Sequence, residues 1–160
     1  MVEATIIGAG VAGLCIAREL LDRGAEVMLV DRHTKSGAHA GSWWAGGMLA
    51  PLCEGESAEE PVVRLGREAA DWWEAKTEAV HRCGSLVVSP AHDKSDLVQF
   101  ARRTTGFREV TGSEISNLEP DLGNRFSKGL FFESEAHLAP RTALDQLRDS
   151  LVADGGQFAQ

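Results

Sequence analysis

Gly8, Gly10 and Gly13 stand at the spacing Gly-x-Gly-x-x-Gly, and a carboxylate, Asp31, follows about twenty residues on. Bare backbone at such positions suits one kind of chemistry, the holding of a pyrophosphate. Gly8 permits a tight turn, Gly10 lets the main chain approach the phosphates, and Gly13 lets the next helix press on the preceding strand. Free N–H groups at that helix start, backed by the helix dipole, supply the anion site. Asp31 can accept hydrogen bonds from a ribose 2′-hydroxyl and would repel a 2′-phosphate. That disfavours NADP, although Arg32 beside it acts in the opposite sense. These residues predict a dinucleotide site and leave FAD and NAD both open. The alternative is a Gly-rich turn with only a structural role.

The elements that must position these residues are legible on either side of them. Residues 4–7 form a short apolar run that reads as a buried parallel strand. Residues 12–23 read as a helix packed on the sheet along Ala12, Cys15, Ile16, Glu19-Leu20 and Arg23, and Gly24 ends it. Residues 26–30 give the next strand, so that Asp31 falls at its end. Strand, turn, helix and strand in about 30 residues make a βαβ unit.

Composition sets the outer limits. The 160 residues are 43% hydrophobic with a mean hydropathy near zero, which suits one globular core. A net charge of -8 argues against nucleic acid and anionic membranes as partners. The apolar runs fall well short of the roughly 20 residues that span a bilayer. With no leader pattern before the first strand, the expected location is cytoplasmic. Cys15, Cys53 and Cys83 include no C-x-x-C pair and suit free thiols in a reducing compartment. Cys15 reads as a small core residue, and neither other cysteine has the neighbours of a nucleophile. His33, His39, His81, His92 and His137 lack metal-ligand spacing, so no metal site is expected.

A second stretch, Gly41-Ser42-Trp43-Trp44-Ala45-Gly46-Gly47-Met48-Leu49-Ala50-Pro51, begins about ten residues beyond Asp31. It is too rich in small residues for an ordinary helix, and small side chains allow backbone amides to approach a ring system. Two adjacent tryptophans followed by Met-Leu-Ala-Pro predict burial rather than a solvated loop.

Taken together, Gly8-Ala9-Gly10-Val11-Ala12-Gly13, Asp31, Ser42 and Ala45 to Pro51 resemble the FAD-dependent D-amino-acid oxidase superfamily, within it the glycine oxidase type associated with thiamine biosynthesis. The resemblance continues through Gly84-Ser85-Leu86-Val87-Val88, Leu118-Glu119-Pro120-Asp121-Leu122, Gly129-Leu130-Phe131-Phe132 and His137-Leu138-Ala139-Pro140-Arg141, and so covers essentially the whole chain. It departs where the family usually carries an acid and this chain has Ala139, and where the family often has Glu in place of Asp31. The resemblance implies that FAD is the cofactor. Gly8, Gly10, Val11, Ala12 and Gly13 would hold its pyrophosphate, with Asp31 and Arg32 near the adenosine ribose. Gly41 and Ser42 would touch the phosphate and ribityl side, and Gly46, Gly47 and Met48 would lie against the flavin ring. It also implies the activity: oxidation of the C–N bond of glycine or a similar small amino acid to an imine, with oxygen as acceptor. The catalytic residues are unknown. The alternatives are a D-amino-acid or sarcosine oxidase, a flavin domain of tRNA modification, or a non-catalytic nucleotide-binding fragment that needs a partner chain.

The remainder reads as the first part of a substrate domain. Residues 61–79 are expected to form one amphipathic helix, opened by Pro61, with Val62, Leu65, Ala69, Trp72 and Trp73 on a single face. Residues 94–103 predict a second helix, and Thr111 or Ser113 a cap for a third. Leu144, Leu147 and Leu151 repeat at helical spacing, and Gly155-Gly156 turns into another strand. The expected class is α/β, a Rossmann-like FAD-binding βαβ unit plus the first part of an α+β substrate domain, truncated. The expected segments are 1–51 for cofactor binding, 52–135 for substrate, and 136–160 for the return helix and next strand. So few strands predict an uncovered apolar face and edge. The expectation is a fragment, or one chain of a split enzyme that needs a complementing chain or a homo-oligomer. Family members, by resemblance, continue for about as long again and supply the arginine that pairs with the amino-acid carboxylate.

Overall fold

The computed structural model describes residues 3–33, 35–90 and 93–160; His92 lies outside them. In chain order the strands are β1 (Glu3–Ile7), β2 (Glu26–Val30), β3 (Met48–Leu49), β4 (Val80–His81), β5 (Ser85–Val88), β6 (Arg108–Thr111), β7 (Lys128–Phe132), β8 (Ala136–Leu138) and β9 (Gln157–Ala159). The helices are α1 (Val11–Asp22), α2 (Pro51–Glu54), α3 (Glu60–Gly66), α4 (Ala69–Glu74), α5 (Lys94–Arg103), α6 (Gly112–Leu118) and α7 (Pro140–Ala153). The chain divides into two compact units. One comprises Met1–Gly47, Asp71–Val80 and Leu138–Gln160, the other Met48–Ala70 and His81–His137.

The first unit carries the parallel sheet β1-β2-β9 with β2 in the centre. Glu3 pairs with Glu26 and Ile7 with Val30, while Met28 pairs with Gln157 and Val30 with Ala159. α1 packs on β2 and α7, and α7 on β9. Leu14, Ala17, Val27, Leu29, Leu144, Leu147 and Leu151 are buried there. Alternation along the strands sends Ile7 and Met28 to the other face, where Ile7 is 88% exposed. Among the described residues β2 is the one hydrogen-bonded neighbour of β1, so an apolar face and an edge are open, as the strand count predicts. α1 ends in a turn in which Gly24, at φ +82°, donates to the Leu21 carbonyl and Ala25 to that of Leu20.

The second unit is built on the antiparallel sheet β5-β7-β6, with Val110, Ile115 and Phe131 buried against Leu86, Val88, Leu122 and Phe126. Phe132 is fully buried, with the rings of Phe100 and Phe107 at 6.2 and 5.6 Å. Of the two caps the sequence leaves open, Thr111 is the one used, in a reciprocal box with Glu114. β3 pairs antiparallel with β8, Met48 opposite His137 and Leu49 opposite Ala136. The turn before β8 carries Glu135, a residue 2% exposed whose carboxylate accepts from the Leu52 and Cys53 amides.

Three sequence expectations need correction. The buried stripe of α1 is Leu14, Ala17 and Arg18, whereas Ala12 and Ile16 face outward. Arg18 reaches that stripe by pairing with Asp22 and Asp154, which satisfies a charge the apolar pattern leaves out of account. Residues 61–79 do not form one helix. Pro61 does sit in the first turn of α3, but the helix stops at Gly66 and a new one starts at Ala69, so the apolar positions cannot share one face. Val62 and Leu65 are exposed, while Trp73 is buried and Trp72 donates from Nε1 to Glu19 at 2.5 Å. Burial of the tryptophan pair fails too, since Trp44 is 65% exposed. The Arg141 guanidinium lies over the Trp43 and Trp44 rings at 5.1 and 5.5 Å and gives them a polar partner at the surface.

Candidate functional site

The β1–α1 turn sets the site of the first unit. Gly8 takes φ +98°, a left-handed value that glycine adopts at no steric cost, and donates to the Val30 carbonyl at 2.8 Å. A Cβ on Gly13 would lie 1.9 Å from the Gly8 carbonyl oxygen, so the helix rests on the turn with no room for a side chain. Gly10 precedes the helix in extended conformation and offers it no side-chain cap. Ser42, from the segment 41–44 that makes one short 3-10 turn, fills that role: its Oγ accepts from the Val11 amide at 3.2 Å. A hydroxyl oxygen thus sits on a helix-start N–H, where an anion's oxygen would bind.

Asp31 closes the other side. Its Oδ2 accepts from the Ala9 amide at 2.7 Å and its Oδ1 from the His33 amide at 2.9 Å. These backbone donors, Ala9 first, hold its carboxyl below the usual carboxylate range, so it stays ionised. The carboxylate is oriented by the same turn that carries the glycines, a link that spacing does not reveal.

A cleft of about 460 Å³ joins these parts. Its walls hold Gly8, Gly10, Asp31, Arg32, Gly41 and Ser42, together with His33, His39 and Gln160. Of the expected contacts, those first six are therefore brought together. Val11, Ala12 and Gly13 form the adjoining first turn of α1 and do not line the cleft. Gly46 and Gly47 lie further along the chain, outside it, and Met48 belongs to the second unit, where it is 58% exposed. The residues missed from sequence are His33 and His39, whose rings stack 3.7 Å apart, and Gln160, whose side-chain amide donates to the Arg32 carbonyl. Nothing local marks them; they reach the cleft through the course of the loop and through β9.

A dinucleotide fits this arrangement. A Cβ on Gly8, Gly41 or Gly46 would meet nothing within 4 Å, so the protein's own packing leaves those positions bare. Gly47 differs: it takes φ +76°, and a Cβ there would lie 2.1 Å from the Leu138 carbonyl oxygen. Gly47 also accepts from the Leu138 amide at 2.8 Å, which ties the segment to the start of the return helix.

The thiols are placed for packing rather than attack. Burial, with Glu19 nearby, pushes the Cys15 thiol up to about 11. Burial and then the Glu135 carboxylate push that of Cys53 up as well, whereas Cys83 is exposed. Among the described residues no cluster of His, Cys, Asp and Glu could hold a metal ion, and no helix is long and apolar enough to cross a membrane.

Known proteins resemble the chain along nearly its whole length. The FAD dependent oxidoreductase family, DAO, matches residues 3–160. A thiamine biosynthesis oxidoreductase, ThiO, of Rhizobium etli is 54% identical over 145 residues, covering 90% of this chain and 44% of that protein. A glycine oxidase of Pseudomonas aeruginosa is 31% identical, covering 93% of this chain and 43% of its own length. Among solved structures, a glycine oxidase from Bacillus cereus superposes with a TM-score of 0.76 at 22% identity, over 98% of this chain and 46% of that one. The chain thus spans under half the length of these relatives.

Proposed function

We propose, given that the chain belongs to the FAD dependent oxidoreductase family, that it is the cofactor-holding part of an oxidase acting on glycine or a similar small amino acid. The observation that carries this is the cleft in which Gly8, Gly10, Asp31, Gly41 and Ser42 converge from three separate stretches of chain. The names of the relatives, a ThiO and a glycine oxidase, support the substrate class and a link to thiazole formation in thiamine biosynthesis. Three cysteines without a C-x-x-C pair suit a reducing, cytoplasmic setting.

In this proposal the Val11 amide and the start of α1 take the pyrophosphate, with Ser42 Oγ moving from cap to phosphate ligand. Asp31, held ionised and aimed by the Ala9 amide, accepts from the adenosine ribose. The bare backbone at Gly46 and Gly47 and the exposed Met48 side chain are the proposed contacts of the flavin ring. FAD, when bound, supplies the two-electron oxidation of the substrate C–N bond and passes the electrons to oxygen. The chain's residues contribute binding and orientation, and no acid–base or nucleophilic group of this chain is required.

The test is peroxide production by the FAD-loaded chain joined by the complementing part that supplies the rest of the substrate domain, with glycine, sarcosine and D-amino acids offered in turn. Turnover of glycine, with release of ammonia, is expected. A stably FAD-loaded protein that oxidises none of these amines would overturn the reading.

A further inference from the structure

We infer that the second unit holds a site for a small zwitterion, an amino acid whose ammonium group meets Glu135 and whose carboxylate meets Arg67. A buried charge and a cavity, both within that unit alone, carry the inference, which does not depend on the cofactor reading. Glu135 is 2% exposed. Its Oε1 accepts from the Leu52 and Cys53 amides at 2.8 Å each, and its Oε2 from the Cys53 thiol at 3.1 Å. All three partners are donors, which suits a carboxylate, and they fill three of its roughly four acceptor sites. All three are also neutral. Burial, and then the Glu135 carboxylate, push the Cys53 thiol up, so it brings a proton and no charge. Among the described residues no Lys, Arg or His pairs with Glu135. A buried ion met only by neutral donors is incompletely compensated, and a cation at the remaining site on Oε2 completes it.

Glu135 stands in the wall of a cavity of about 390 Å³, a volume in the range of small-molecule sites. The only other charged residue in that wall is Arg67, an exposed guanidinium. The two do not pair with each other, and among the described residues Arg67 pairs with no other acid. One carboxylate and one guanidinium, held apart in a single cavity, match a ligand with an ammonium at one end and a carboxylate at the other. The Thr105 and Ser134 hydroxyls add polar groups, and Leu49 and Leu52 add apolar wall. The wall is close-packed: a Cβ on Gly66 would lie 2.8 Å from Pro51 Cβ, and one on Gly106 2.8 Å from Leu52 Cδ1. Such packing fixes the shape of the cavity before a ligand arrives. A metal ion is not favoured, since no further His, Cys, Asp or Glu lines the cavity to join Glu135 as a ligand.

The test is calorimetric titration of the FAD-free protein with glycine, its longer homologue 4-aminobutanoate, ethylamine and acetate. At least one of the two zwitterions should bind with one site per chain, ethylamine more weakly, and acetate most weakly. Arg67→Gln should weaken the zwitterion about tenfold and leave ethylamine within about twofold. Glu135→Gln removes the buried charge and should weaken both by about tenfold or more. Should that variant fail to fold, the exposed Arg67→Gln and the series of probes still decide the matter. The inference is overturned if neither zwitterion binds, if Arg67→Gln binds them as the wild type does, or if a folded Glu135→Gln binds ethylamine unchanged. None of these results touches FAD binding, and a protein that takes up no FAD leaves the inference standing.

Discussion

Replacing Gly13 by alanine should loosen the whole nucleotide-binding unit, and the structure gives the size of the effect. The added Cβ would lie 1.9 Å from the Gly8 carbonyl oxygen and 3.1 Å from its carbon. Restoring a separation of even 3.0 Å requires α1 to withdraw from the turn by about 1.1 Å. That movement carries Leu14 and Ala17, both fully buried, away from their partners. Overpacking of this kind costs about 1–3 kcal/mol. Alanine's better helix propensity offsets about 0.5–1 kcal/mol of it. Taking the middle of each range, about 2 less about 0.75, the net loss is about 1.25 kcal/mol, which for a chain of this length lowers Tm by roughly 2.5–5 °C. The assay is urea and thermal unfolding of Gly13→Ala beside Gly41→Ala. At Gly41 a Cβ meets nothing within 4 Å, and the loss should stay within about 0.5 kcal/mol. A Gly13→Ala protein that unfolds with the wild type, or a Gly41→Ala protein that loses as much, would refute the close-approach argument.

Thiol labelling at pH 8 should modify the exposed Cys83 first. Cys15 and Cys53, whose thiols are pushed up by burial, should react only slowly until the chain is unfolded. Rapid labelling of Cys53 in the native protein would contradict the packing described around Glu135. Asp31 has its carboxyl lowered in the folded state, so its contribution to stability is complete above the unfolded value of about 3.9 and is lost as pH falls through the lower folded value. Asp31→Asn should therefore flatten the acid limb of the stability curve below about pH 4, and an unchanged limb would argue against the Ala9 and His33 amide bonds.

The parts legible in the sequence are those whose physics is local. Gly8, Gly10 and Gly13 declare a turn and a close approach because only backbone conformation and the absence of Cβ are at stake, and β2 ending at Val30, just before Asp31, follows from the apolar run 27–30. Leu144, Leu147 and Leu151 mark α7 because a single helix face is buried. The 3.6-residue pattern over 61–79 misled because it is blind to a break: Arg67 and Glu68 interrupt it with residues that are good helix formers. Arg18 was hidden because its burial depends on Asp154, 136 residues away. Asp31 was legible as an acid at a strand end, yet its hydrogen bond to Ala9 was not, since it depends on how the turn folds back. Glu135 sits between Ser134 and Ala136 and looks like any solvated turn residue; its partners at 52 and 53 are a tertiary fact.

The central claim is that the cleft around Gly10 and Asp31 holds FAD. Equilibrium titration of the FAD-free protein with FAD, followed by flavin fluorescence in the wild type and in Gly10→Val, tests it most directly. Gly10 has φ -77°, and a Cβ there meets only Ser42 Oγ at 3.3 Å, so a branched side chain fills the proposed pyrophosphate position without straining the backbone. Saturable FAD binding by the wild type, weakened about a hundredfold or more in a Gly10→Val protein that still folds, is the expected result. Binding of equal strength in both proteins, or none in the wild type, would contradict it.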